Sequence, residues 1–224
     1  MRVLHIYSGN LFGGVETLLL TLVRRQGSCP GMESRVAVCF PGRLAEALEA
    51  SGNPPARLGG VRARYPWTVR SARRRLGGLL KAEGIDIAVC HGPWAQAVFG
   101  PAVRSAGLPL AFWLHHAPQG RHWVERWARL TPPDLAVCNS RFTAAALPAL
   151  HPGVRSEVLY APVSVSPAVP RNGTGVPVIL QASRLEPWKG QAVHLEALAL
   201  LKDLPWTARF AGGPQSPAEK AFLG

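Results

Sequence analysis

Apolar residues along this chain come in two rhythms. In the first, short runs are closed off by glycine, proline or polar clusters: Val3 to Tyr7, Arg35 to Phe40, Ile85 to Cys90, Leu110 to Leu114, Leu135 to Cys138, Val158 to Val163, Val178 to Ala182 and Trp206 to Ala211. Runs with so little polar alternation suit strands covered on both faces, which belong to parallel sheets. In the second rhythm, apolar residues return every three or four places. Val15, Leu18, Leu19, Leu22 and Val23 share one helical face, residues 44–50 and 69–83 also read as helices, and Ala192, Leu195, Leu198, Ala199 and Leu201 repeat the spacing. Strand and helix alternate, which is the pattern of an α/β fold. Arg57 to Val61 reads as a further short strand. Residues 121–130 read as a helix with Trp123 and Trp127 on one face, either packed into the domain, the commoner outcome, or interfacial.

Ser164 to Gly175 has no such rhythm and is rich in Pro, Ser and Gly. We therefore expect a first domain at residues 1–165, a linker at 166–176 and the start of a second domain at 177–224. That second part holds one strand–helix–strand unit, then Gly212-Gly213-Pro214 and a helix start at Ser216 to Gly224. The sequon Asn172-Gly173-Thr174 falls in the linker and reads as chance.

Charge adds a partner question. The 224 residues carry 25 Lys+Arg against 13 Asp+Glu, a net +12. Such an excess fits nucleic acid, an anionic membrane surface or a phosphorylated substrate, and it also fits plain compositional bias. No nucleic-acid-binding motif is present, so no nucleic-acid partner is expected. Residues 69–83 concentrate Arg70, Arg73, Arg74, Arg75 and Lys81, a face that is either solvated or in peripheral contact with anionic lipid. Cys39, Cys90 and Cys138 close apolar strands and no Cys-x-x-Cys occurs, which suits buried, reduced thiols in the cytoplasm.

The chemistry concentrates where strands end. After Val178 to Ala182 the chain runs through Ser183-Arg184-Leu185, turns at Glu186-Pro187 and reaches Lys189-Gly190 before a helix. A basic turn between a strand and a helix N-terminus suits a phosphate, since free N–H groups, the helix dipole and two cations would all favour the anion. The same residues also fit a solvated loop. Val3 to Tyr7 leads into a glycine turn ending in Gly13-Gly14-Val15-Glu16, where a backbone can approach a ligand closely. Glu16 either lines that approach or simply favours the helix start by its charge. Three further strands lead into His91-Gly92-Pro93, His115-His116 and Asn139-Ser140-Arg141-Phe142-Thr143. Each His there could move protons or be satisfied by a backbone carbonyl. Ser140 reads as a helix cap.

These motifs resemble those of family-4 (group 1) glycosyltransferases, whose signature Ser-Arg-Leu-x-x-x-Lys-Gly is matched by Ser183 to Gly190, and whose Gly-Gly-x-Glu is matched by Gly13 to Glu16. The resemblance implies the GT-B architecture: a complete N-terminal Rossmann-like domain and the first part of a second. It implies a sugar transfer from a nucleotide-diphosphate-sugar donor to an acceptor hydroxyl, with retention and with no metal or other cofactor. By the same resemblance Arg184 and Lys189 grip the donor diphosphate and Gly13 and Gly14 lie against the phosphates or the acceptor. His115 reaches the sugar or acceptor, with His116 as its rival, and His91 and Glu16 line the cleft. Ala161-Pro162 departs from the family's usual Asn-Gly before the domain crossing. No paired-Glu segment follows Lys189, so the chain is expected to be truncated and inactive as it stands. A nucleotide-sugar epimerase of the same architecture, a non-catalytic binding remnant and a basic membrane-peripheral module are the alternatives.

Overall fold

The computed structural model describes residues 1–163, 165, 167 and 175–214. The chain divides into two compact units, Met1–Ser164 and Val165–Gly224. Most of the expected linker and sequon, and the helix expected from Ser216, lie outside the described residues.

The first unit is a seven-stranded, wholly parallel sheet. Its strands are β1 (Arg2–Tyr7), β2 (Glu33–Val38), β3 (Ala56–Arg57), β4 (Ile87–His91), β5 (Leu110–Leu114), β6 (Leu135–Cys138) and β7 (Ser156–Val158), in the order β3-β2-β1-β4-β5-β6-β7. The helices are α1 (Gly14–Arg24), α2 (Arg43–Ala50), α3 (Pro66–Ala82), α4 (Gly92–Ser105), α5 (Trp123–Ala128) and α6 (Arg141–Ala146). Alternate residues of each strand go to opposite faces. Leu4, Ile6 and Cys90 pack with Val69 and Leu76 of α3 and Val98 and Phe99 of α4. On the other face Val3, Val89, Ala111 and Trp113 pack with Leu18 of α1. Cys39, Cys90 and Cys138 are buried free thiols. Burial pushes the Cys39 thiol up to about 12, so it behaves as an apolar filler.

Three expectations need correction, and one helix was not foreseen. The helix α4 was hidden by Gly92-Pro93 and Pro101. Pro93 sits in its first turn, where no N–H is needed, and the Ala97 carbonyl that Pro101 leaves without a backbone donor accepts instead from Arg73 Nη2 at 3.1 Å. The run Val158 to Val163 leaves the sheet at Val158. It forms an edge strand, and Pro162 has no N–H with which to continue pairing. The paired tryptophans do not both pack inward: Trp127 joins the core, whereas Trp123 is exposed and stacks on it. Nor is the basic face of α3 wholly solvated. Arg73 donates to the carbonyls of Ala97 and Val98, and Arg75 to that of Leu58, so two of its cations fasten elements together.

The second unit contains β8 (Val178–Ala182), α7 (Gln191–Ala199) and β9 (Thr207–Ala211), a parallel strand–helix–strand unit. Its apolar residues are poorly covered: Val178, Leu180, Val193, Leu195, Leu200 and Phe210 are exposed and Leu198 is buried. Among the described residues of either unit, no helix is long and apolar enough to cross a membrane.

Candidate functional site

From β1 the chain passes to β2 and β3 on one side, then returns to β4 on the other. The order therefore reverses between β1 and β4, and in open parallel sheets the crevice beyond the strands' carboxyl ends at that point is where ligands bind. The residues around it come from the ends of β1, β4, β5 and β6.

After β1 the glycines divide into two kinds. Gly9 has φ +84°, and a Cβ there would press on Val38, while a Cβ on Gly42 would come within 2.9 Å of the Gly9 carbonyl. Both are required by the turn itself. Gly13 has extended backbone, and a Cβ added at Gly14 would meet nothing within 4 Å. The room above Gly13 and Gly14, at the first turn of the eleven-residue helix α1, is open within this unit. Glu16 is buried and its Oε2 accepts from the Gly13 N–H at 2.7 Å, the acidic half of a capping box whose other half Gly13 has no side chain to supply. Its other oxygen, Oε1, is buried without a hydrogen-bond partner.

Beside this turn a chain of imidazoles crosses the sheet. His5 stands in the middle of β1, and His91 ends β4 with Trp113 of β5 paired opposite. His115 follows β5. Nδ1 of His5 lies 2.9 Å from Nε2 of His91, and Nδ1 of His91 lies 2.9 Å from Nε2 of His115. Burial holds His5 and His115 down at about 4, with the His116 charge adding to the effect at His115. His91 is held well below its ordinary value, by burial first and by its two imidazole neighbours second. All three are neutral at neutral pH. His116 is exposed. The structure thus separates the two neighbours: His115 belongs to the buried network and His116 faces out. Sequence reasoning missed His5, whose only signal was a polar residue inside an apolar strand.

The loop that carries His115 is pinned from β6. Asn139 donates through Nδ2 to the His115 carbonyl at 2.9 Å, and Thr143 donates to Asn139 Oδ1 at 2.9 Å. Ser140 caps α6 by accepting from the Thr143 N–H. Among the described residues no group of three or more His, Cys, Asp or Glu side chains could hold a metal ion. A groove of about 610 Å³ lies between α3 and α4 and is lined by Arg74, Gly77, Lys81, Ala102 and Ser105. Those residues sit toward the helices' carboxyl ends, which in a parallel α/β unit is the opposite end of the sheet from the imidazoles.

In the second unit, Ser183 to Gly190 forms a tight turn ahead of α7. Gln181 donates to the Lys189 carbonyl, and Gln191 donates to Ser183 Oγ and to the Arg184 carbonyl. Gly190 takes the left-handed conformation, φ +74°, that starts α7. Arg184 is paired with Glu186 at 2.9 Å, and the Lys189 ammonium lies 3.9 Å from the centre of the Trp188 ring. The two glutamines that fix this backbone were not singled out in the sequence. Gly212 follows β9 so closely on Ser183 that a Cβ would strike the Ser183 carbonyl. The sequence-expected residues thus fall into separate groups: Gly13, Gly14 and Glu16 at the start of α1, His91 hydrogen-bonded to His115 beyond β4 and β5, and Arg184 and Lys189 in the second unit.

Comparison with known proteins follows this geometry. The model of Glycosyltransferase Family 4 matches residues 12–166. No curated protein matches the chain in sequence. Among solved structures, HepE of Anabaena, crystallised with UDP and glucose, superposes with a TM-score of 0.77 at 20% identity, over 100% of this chain and 64% of HepE. The apo form of WaaB, a lipopolysaccharide outer core galactosyltransferase, gives 0.70 at 16%, over 100% of this chain and 63% of its own. A Listeria monocytogenes protein assigned as a UDP-N-acetylglucosamine 2-epimerase gives 0.60 at 14%, over 99% and 65%. The fold is that of GT-B glycosyltransferases, and this chain spans slightly less than two thirds of such structures. With the family model covering more than half of its residues, the chain belongs to Glycosyltransferase Family 4.

Proposed function

We propose that this chain supplies the acceptor-side domain and the first part of the donor domain of an enzyme that moves a sugar from a nucleotide-diphosphate donor to an acceptor hydroxyl. The observation that carries the reading is the open first turn of α1 at Gly13-Gly14, beside the imidazoles at the sheet's switch point. In this reading the chemistry is charge stabilisation at the leaving diphosphate. Arg184, oriented by Glu186, and Lys189 neutralise it, while the N-terminal turn of α1 at Gly14 adds a fixed dipole. His115, kept neutral by burial, hydrogen-bonds the transferring sugar or the acceptor hydroxyl. Its open neighbour His116, together with His91 and Glu16, lines the cleft. The transfer retains anomeric configuration and needs neither a metal nor another cofactor. The complex of HepE with UDP and glucose supports a UDP-sugar as the first donor to try.

The test is a transfer assay, on the enzyme of which this chain is part, with a panel of nucleotide sugars and candidate acceptors, the product anomer being read by NMR. Nucleoside diphosphate released only when acceptor is present, with a retained anomer, is the expected result. Epimerised donor sugar without any acceptor would instead favour the epimerase reading, which the Listeria monocytogenes structure keeps in view. No turnover, with donor still bound, would leave a binding remnant.

A peripheral contact with anionic membrane in the cytoplasm is a second proposal, supported by the exposed Arg70, Arg74 and Lys81 on α3. Co-sedimentation with vesicles should rise with anionic lipid content and fall in the Arg70→Ala/Arg74→Ala variant. Indifference to lipid charge would remove it.

A further inference from the structure

The imidazole chain reaches deeper than the site needs if His115 acts alone. His5 lies in the middle of β1, is 3% exposed, and touches no part of the crevice except through His91. The His91 and His115 rings are nearly coplanar, 13° apart, with centroids 5.1 Å apart. Two ring radii account for the gap between that distance and the 2.9 Å between nitrogens, so this contact is an in-plane hydrogen bond and not a stack. The His5–His91 contact has the same dimensions, 5.2 Å and 2.9 Å, with the rings twisted by 50°. Trp113 lies almost parallel to His115, at 7°, and near-parallel to His91, at 20°, and so fixes the plane of both.

Each contact joins two ring nitrogens and needs one N–H and one lone pair. A neutral imidazole has one of each. The three rings therefore have only two fully bonded arrangements: all protonated on Nδ1, or all on Nε2. The His5 end leaves its Nε2 buried and unpartnered in either arrangement, as a lone pair in the first and as an N–H, the costlier orphan, in the second, so the second needs a preference elsewhere to outweigh it. Imidazole in a histidine side chain is intrinsically more stable with its proton on Nε2, and that preference counts three times along the chain. Among the described residues Nδ1 of His115 is given no partner and is the chain's open end.

We propose that His5 and His91 are positioning residues that lock His115 in the Nε2–H tautomer, leaving its Nδ1 as a bare hydrogen-bond acceptor at the site. The group this acceptor suits is a hydroxyl, on the acceptor or on the sugar. This inference rests on the reading of His115 as the imidazole that meets substrate, but its test does not.

The test is long-range ¹H–¹⁵N correlation NMR on the histidine-labelled chain at neutral pH, without donor or acceptor. In the wild type His115 should show protonated Nε2 and bare Nδ1 in clear excess over the reverse, since both arrangements keep the two hydrogen bonds and the three intrinsic preferences act together. His91→Leu removes the acceptor for Nε2–H and uncouples the rings, so the excess at His115 should shrink to that of a single imidazole. His91→Asn places a carbonyl oxygen near the lost Nδ1 and should restore the single tautomer. His5→Leu leaves the His91 ring unheld and should give a partial loss, which keeps the idea testable if one variant folds poorly. A His115 tautomer that is the same in wild type and His91→Leu, or a wild type protonated on Nδ1, overturns the proposal. A locked tautomer in a protein that transfers no sugar would count against the transferase reading alone.

Discussion

At the scale of single residues, buried imidazoles tie stability to pH. His5, His115 and His151 are each held down at about 4 in the folded chain, by burial in every case, with Arg129 adding to the effect at His151. In the unfolded chain they titrate near 6.5. Between about 6.5 and 4 the unfolded chain therefore binds more protons than the native one, so stability falls as pH is lowered through that window. Thermal melts from pH 7 to pH 4.5 should show Tm dropping throughout. His151 packs edge-on against Phe112, away from the crevice, with its Nε2 unpartnered, so His151→Leu should flatten the drop without touching the site. An unchanged pH slope in that variant would contradict the account. Asn139 matters for another reason. It donates to the His115 carbonyl, and losing that bond lets the loop shift; a misplacement of this kind costs a transfer reaction about tenfold to a hundredfold. Asn139→Ala should lower kcat by that order while leaving donor affinity alone, a split that steady-state kinetics reads directly.

At the scale of elements, the strands were legible and several connections were not. Strands buried on both faces announce themselves as apolar runs, and β1, β4, β5 and β6 stand within two residues of where their runs place them. The helix α4 was invisible because Pro93 and Pro101 are breakers in isolation, and the Ala97 carbonyl that the second leaves without a donor is met by Arg73 from another helix. Half of the site was legible in the same way. His91 and His115 follow strands, but their link to His5 depends on sheet order and register, which no local pattern encodes. Likewise Arg73 looked like any surface cation. In the fold it reaches from α3 to two carbonyls of α4 and fastens the helices together. Arg73→Ala should cost about 1–3 kcal/mol in denaturant unfolding, the range for carbonyls left without their donor. The neighbouring Arg70→Ala, which makes no such contacts, should cost far less. Equal losses would mean that the contacts to α4 contribute nothing.

At the scale of the whole molecule, the two units differ in completeness. The first has a seven-stranded sheet with helices on both faces. Among the described residues the second has two strands and one helix, with Val178, Leu180, Val193, Leu195 and Phe210 exposed, and two paired strands are too few to be stable alone. The 224-residue chain should therefore bind a hydrophobic dye such as ANS, and limited proteolysis should cut the second unit while sparing the first. A protease-resistant second unit would contradict this. The central proposal is that the chain binds the donor's diphosphate, with Gly14 and Lys189 each contributing. It is tested most directly by titrating nucleoside diphosphate into the wild type, Gly14→Leu and Lys189→Ala, with Tm recorded for each. Because a Cβ at Gly14 would meet nothing within 4 Å among the described residues, Gly14→Leu should change Tm little. Both variants should still weaken binding by about tenfold or more, Lys189→Ala by losing a charge-assisted contact and Gly14→Leu by filling the space a phosphate would take. Nucleoside diphosphate bound equally well by all three proteins would contradict the account.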